Sequence, residues 1–349
     1  MFQEMIRIDG SYGEGGGQIL RTALTLSMLT QKSFELVNIR AKRPKPGLRP
    51  QHLTCVKAAQ KISGAEVEGA RVGSLYLSFH PKKVKPGSYH FDIGTAGATA
   101  LVFQTVGLAL ACAGASKLLL KGGTHVPYAP CYHYLAEVYA PILEQLGFSF
   151  AFELRRYGFY PAGGGEVSVK IAPQKEISEP FELCGPYKTK KVKVLSVVTE
   201  DLPSHIRTRQ AKAASEILAE KGFEPEVKLE KAWAKSPGTV VFVAISEGAK
   251  RAGFFSLGKK GKPAEKVAEE AVFAFFEFYK TQKAVDPYLA DQLLLPLAIT
   301  RMPFCFDTSR LTRHFFTNLW VIKHFIPDFS PEVRGDLDTP GIVSFLGTV

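Results

Sequence analysis

Apolar residues fall on two periods along this chain. From Asp307 to Ile326 they recur at Leu311, Phe315, Leu319, Ile322 and Ile326, a spacing that predicts a helix, with Thr308 or Ser309 placed to cap its start. The same period predicts helices behind the glycine-rich turns at 10–17 and 94–97, and over 51–62, 132–146, 204–221, 264–280 and 286–299. Short β-branched and aromatic runs predict strands at 5–9, 34–40, 65–68, 89–93, 117–121, 147–153, 190–199, 239–246 and 304–306, with another at the end of 157–170.

The order of these elements repeats. A glycine loop, helix, strand, proline loop, helix and strand come in that order twice, with Gly97 82 positions after Gly15 and Gly147 83 after Gly64. That period is too long for a solenoid and indicates duplicated small α/β units. A third round opens near Tyr157, breaks off, and resumes at Asp286. The interruption has its own strands, helices and lysine-rich segments. The expected fold class is therefore α+β, with a large domain over 1–183 and 284–349 and a small inserted α/β domain over 184–283.

With 46% hydrophobic and 22% charged residues among 349, the composition is that of a globular protein. The apolar run from Val106 to Ala115 is broken by Gly107 and Gly114, so no membrane span is expected, and Met1 to Asp9 lacks the apolar core of a leader. A cytoplasmic location is the expectation. The five cysteines form no CxxC and the eight histidines no HExxH, so neither a disulfide framework nor a dedicated transition-metal site is expected. A net charge of +11 suits a polyanionic partner, nucleic acid or a phosphate-rich ligand.

Candidate chemistry gathers in three places. The turn Gly10 to Gly17 can aim backbone amides at an anion where its helix begins, and Gln18, Arg21 and Thr25 share a face behind it. It is neither a Rossmann fingerprint nor a P-loop: Gln18 stands where the third glycine belongs, and no Gly-Lys-Ser/Thr occurs. The loop from Arg40 to Arg49 holds five basic residues stiffened by proline. His314 lies near the start of its helix, where the dipole favours a neutral imidazole and a bound anion. Beside a phosphate such a ring is a nucleophile; on an amphipathic helix it is more often a packing residue.

Taken together, six ordered motifs resemble the RNA 3′-terminal phosphate cyclases: Glu14 to Arg21, Arg43 to His52, Gly122 to Thr124, Tyr160 to Gly165, Leu289 to Pro296 and Thr308 to Trp320. The resemblance implies three repeated units, each like the C-terminal domain of a bacterial translation initiation factor, plus the inserted domain. It also implies the chemistry: ATP adenylylates a histidine, AMP passes to the 3′-phosphate of RNA, and the vicinal 2′-hydroxyl closes a 2′,3′-cyclic phosphate. By position His314 is the nucleophile. Gln104, Tyr288, Leu289, Ala290, Asp291 and Gln292 match ATP-binding positions, with Tyr288 on one face of adenine and Pro130 on the other. Glu14 matches a residue near the phosphates and a Mg²⁺ or Mn²⁺ ion. Gln18, Arg21, Arg40, Arg43 and Gln51 fall where the RNA end binds. A homodimer is compatible with this reading. The alternatives are a non-catalytic RNA-binding protein of ribosome biogenesis with the same fold, which lacks the histidine, and a transferase of repeated α/β units like the enolpyruvyl transferases.

Overall fold

The computed structural model describes residues 5–347. Residues 1–4 of the Met1–Asp9 stretch weighed as a leader, and the outer limits of the large domain, lie outside them. The chain opens with β1 (Ile6–Asp9), α1 (Gly17–Thr30), β2 (Phe34–Val37), α2 (Pro50–Ser63), β3 (Glu66–Glu68) and β4 (Leu77–His80). These strands form a sheet in the order β1-β2-β4-β3, parallel across the first pair and antiparallel across the rest.

The next stretch repeats that connectivity. It runs through β5 (Ser88–Asp92), α3 (Thr99–Ala113), β6 (Ser116–Gly122), α4 (Tyr132–Tyr134), a π-helical turn (Leu135–Tyr139), α5 (Ala140–Glu144), β7 (Phe150–Arg156) and β8 (Gly165–Ile171). Its sheet has the order β5-β6-β8-β7 with the same pattern of directions. The strand expected to open the third round is thus β8 of this second sheet. Alternating Val167, Val169 and Ile171 let it fill the inner place between β6 and β7.

A short strand, β9 (Phe181–Leu183), instead begins the third sheet. The chain then leaves it for β10 (Lys191–Thr199), α6 (His205–Glu220), β11 (Glu224–Ala232), β12 (Thr239–Glu247), β13 (Lys250–Leu257) and α7 (Ala264–Tyr279). These strands make a sheet of different order, β11-β10-β12-β13. Its outer face packs its own buried cluster, including Val192, Val243, Ala268 and Phe275. Strand β11 was not foreseen, because as an edge strand it is exposed on both faces and carries charge where alternation would be read.

The chain returns through α8 (Pro287–Thr300), β14 (Phe304–Thr308), α9 (Arg313–Phe325), β15 (Glu332–Arg334) and β16 (Gly341–Phe345). The order β15-β16-β14-β9 repeats the first two sheets in connectivity. Helix α9 starts six residues later than its apolar period implied. Asp307 and Thr308 are spent in β14, and Leu311 sits buried in a loop that bonds Thr339 and Asp338. Thr312 caps the helix, its hydroxyl accepting from the Phe315 amide at 3.1 Å; Thr308 and Ser309 do not.

Helices α1, α3, α8 and α9 are apolar enough to pack on one another as well as on their sheets, joining these units through one core. No helix among the described residues is long and apolar enough to cross a membrane.

Candidate active site

Where α1 meets α9 the sequence leaves little choice of residue. A side chain on Gly16 would strike the Glu14 carboxylate, and one on Gly17 would strike His52 and come within 2.9 Å of Arg21 Nη1. The glycines let these polar groups close over the backbone. Gly16 caps α1 without a side chain, and no acid stands in the first turn. The leading amides are thus left to an incoming anion.

His314 is the second residue of α9, and half of its side chain is open to solvent (49%). Its Nδ1 lies 2.8 Å from the side-chain oxygen of Gln18. The amide nitrogen of Gln18 faces Asp291 Oδ2 at 3.5 Å, the arrangement that turns its oxygen to the imidazole. An amide oxygen only accepts, so Nδ1 must carry the proton and Nε2 the lone pair. Partial burial, then Arg21 and Arg43, hold the imidazole below the usual histidine range. His314 is therefore neutral at pH 7, and its Nε2 makes no hydrogen bond among the described residues.

The charges around it favour a polyanion. Glu14 Oε2 lies 3.9 Å from His314 Nδ1 and is buried with no hydrogen-bond partner, while its other oxygen pairs with Arg43. Arg43 also donates to the Glu14 carbonyl at 3.0 Å. Burial, with Asp286 adding, pushes the Asp291 carboxyl up to about 8, against the pull of Arg21 and Gln18. Burial holds His52 down to about 3, with Arg21, Arg40 and Arg49 reinforcing it. At neutral pH the cluster thus keeps two guanidinium charges against one carboxylate.

Helix α8 supplies the other wall. Asp286 caps it by accepting from the amides of Tyr288 (2.9 Å) and Leu289 (3.0 Å), and the Tyr134 hydroxyl donates to the same carboxylate at 3.0 Å. Tyr288 stands out from that first turn, 53% exposed. Gln292 accepts from Gln104 and donates to the Tyr288 carbonyl, each at 2.6 Å. Asn318, one turn beyond His314, donates to the Asp291 carbonyl at 2.7 Å and accepts from Thr22 at 2.6 Å. Three helices, α1, α8 and α9, are thereby tied together at one place.

The sequence profile described as RNA 3′-terminal phosphate cyclase matches residues 12–328. The chain belongs to this family. A protein of Methanopyrus kandleri named RNA 3′-terminal phosphate cyclase is 42% identical over 97% of this chain and 98% of its own length. One of the same name from Gloeothece citriformis is 42% identical over 92% and 93%. A solved structure of the enolpyruvyl transferase NikO from Streptomyces tendae covers 60% of this chain and 38% of its own, at 15% identity and a TM-score of 0.27.

Among the positions carried over from the cyclase family, Glu14, Gln18, Arg21, Arg43, Asp291 and His314 come together, and Gln104, Tyr288 and Gln292 line up beside them. Others sit apart. Arg40 donates to the Lys45 and Gly47 carbonyls (2.7 and 3.0 Å) and so shapes its own loop. Gln51 accepts from the Ala98 amide at 3.0 Å, tying α2 to the turn before α3. Leu289 and Ala290 are fully buried and hold α8 on the core. Pro130 is half-buried and leads into α4, whose Tyr134 bonds the cap of α8. Sequence reasoning missed His52, Thr312, Tyr134 and Asn318. Of these only Thr312 carried a local signal, a threonine immediately before the helix.

Proposed function

We propose that this chain is an ATP-dependent RNA 3′-terminal phosphate cyclase that works through a covalent His314–AMP intermediate. Nε2 of His314 attacks the α-phosphorus of ATP, and the bond to the β-phosphate breaks to release pyrophosphate. An oxygen of the RNA 3′-phosphate then attacks that phosphorus, and the P–N bond breaks. The 2′-hydroxyl finally attacks the 3′-phosphorus, loses its proton, and expels AMP as the 2′,3′-cyclic phosphate forms. The observation that carries this reading is the Gln18–His314 contact, which leaves Nε2 unprotonated at the head of α9 between Arg21 and Arg43.

The roles of the neighbours follow from their chemistry. The amides at the start of α1 and Arg21 meet phosphate oxygens, Arg43 holds Glu14 in place, and Tyr288 offers an exposed ring to adenine. The unpartnered Glu14 oxygen suits a hard cation, so Glu14 together with nucleotide phosphates would hold Mg²⁺ or Mn²⁺. Such an ion, when bound, supplies charge neutralisation at the phosphates. We read the shared connectivity of three sheets as three repeated units, and the stretch 184–283, with its different sheet order and own cluster, as an inserted domain.

The test uses the purified chain, ATP, Mg²⁺ and an RNA bearing a 3′-terminal phosphate. The expected result is ATP-dependent conversion of that end to a form resistant to phosphatase and sensitive to acid. RNA binding without conversion would favour the non-catalytic reading.

A further inference from the structure

The proposed cyclisation leaves a second set of nucleophilic side chains unused. His125, Cys131 and His133 are all buried, and one donor atom from each lies within 4.8 Å of the others. His125 Nε2 is 2.9 Å from His133 Nδ1, and His125 Nδ1 is 2.8 Å from the Thr124 hydroxyl. Tyr157 stacks on His125 with ring centres 4.9 Å apart, and Phe242 of β12 lies 5.8 Å from His133. None of the three bonds to the His314 cluster among the described residues.

We propose that His125, Cys131 and His133 form a binding site for a zinc-class metal ion, independent of the nucleotide chemistry. The donor set is that of a zinc site, two imidazoles and a thiol. An ion held at about 2.0–2.3 Å from each needs donors roughly 3.3–3.8 Å apart, a range the present separations bracket. The Thr124 oxygen can accept from His125 Nδ1–H, which turns the Nε2 lone pair inward, the usual support for a metal-bound histidine. Cys131 stands directly before α4, and burial pushes its thiol up, so the ion itself must displace the proton. Glu230, held by the Tyr157 hydroxyl at 2.6 Å and felt electrostatically by His133, is on hand to balance the remaining charge.

Binding exchanges one set of contacts for another. The thiol loses its proton to solvent, and His133 moves its proton from Nδ1 to Nε2. The hydrogen bond between the imidazoles gives way to two metal–nitrogen bonds. The ion would staple the loop 124–131 to the helix behind it, against the inserted segment's Phe242. The sequence hides the set because His-x5-Cys-x-His matches no common zinc spacing.

The test uses the full chain, stripped with a chelator and titrated with Co²⁺ as an optical probe, then Zn²⁺. The expected result is one Co²⁺ per chain with a sulfur-to-cobalt charge-transfer band, bleached by equimolar Zn²⁺. Zn²⁺ should also raise the melting temperature. Cys131→Ser and His133→Gln, each checked for native circular dichroism, should lose both responses. Absence of the charge-transfer band in folded wild-type protein overturns the site. So does a band that survives in Cys131→Ser, which would place the sulfur elsewhere, as at Cys184 and Cys305, whose Sγ atoms are 3.6 Å apart.

Discussion

His314 and His133 hold the same local position and have opposite surroundings. Each is the second residue of a helix, and each has a neighbour's side chain on Nδ1. His314 meets an amide oxygen, opens to solvent, and faces two arginines. His133 meets another imidazole and is sealed among aromatic rings. Burial makes both rings neutral, so neutrality alone does not mark a nucleophile. What separates them is an accessible lone pair with cations around it. Four predictions test that contrast.

The largest effect falls on His314 itself. His314→Ala should lower self-adenylylation by roughly 10³-fold or more, because the bond-forming atom is gone. His133→Gln should still take up label from α-labelled ATP. His324, whose Nδ1 lies 2.9 Å from the Trp320 carbonyl ten residues further along α9, should be replaceable by alanine with little change. Labelling that survives in His314→Ala but dies in His324→Ala would reverse the assignment.

The next effect is on orientation. Gln18→Ala removes the acceptor that fixes the Nδ1–H form and the ring's aim. Self-adenylylation should slow by about 10- to 100-fold, read as a fall in rate at saturating ATP. An unchanged rate would mean that the Gln18 contact does not set the tautomer.

Arg21 should act through charge. Its guanidinium helps hold the imidazole below its usual range, so wild-type labelling should persist below pH 6.5, the ordinary histidine value. Removing the positive neighbour in Arg21→Ala raises the imidazole's affinity for a proton, so the acid limb of the pH–rate profile should move to higher pH. A limb that stays put would leave burial and Arg43 as the cause. The same variant should slow AMP transfer to RNA more than self-adenylylation.

The smallest effect concerns His133 and stability. Its folded value of about 4 lies below the unfolded 6.5, so the unfolded chain takes up a proton that the folded one refuses. The metal-free protein therefore loses stability as pH falls from about 6.5 toward 4, by up to about 1.4 kcal/mol per unit from this group. Asp286 and Asp291, raised by burial to about 6 and 8, work in the opposite sense. The difference between wild type and His133→Gln isolates the histidine. Denaturant midpoints for the two across pH 7 to 4 should converge on acidification, and parallel lines would contradict the buried-neutral account.

Much of this was legible in the sequence because it rests on local rules. The apolar period of α9, the glycines before α1 and the 82-residue echo between the first two rounds all follow from neighbouring residues. What was not legible depends on pairing across long separations. Strand β8 reads like the start of a round, yet its register is set by β6 and β7. Leu311 keeps the helical period of α9 but is held in a loop by residues 338 and 339. Nothing local to Arg40 signals that it donates to the Lys45 and Gly47 carbonyls, which only the path of its own loop shows. The meeting of His125, Cys131 and His133 depends on the turn through Pro130 into α4, for which no spacing rule exists.

The most direct test of the central claim is the chemistry of the protein–AMP bond. With α-labelled ATP and Mg²⁺ alone, a His314 phosphoramidate should survive dilute alkali and leave in dilute acid, because protonating the imidazole nitrogen makes it a good leaving group. The label should map to the peptide containing His314. Label that resists acid, or that maps to the lysine-rich segment 250–262, would contradict the account.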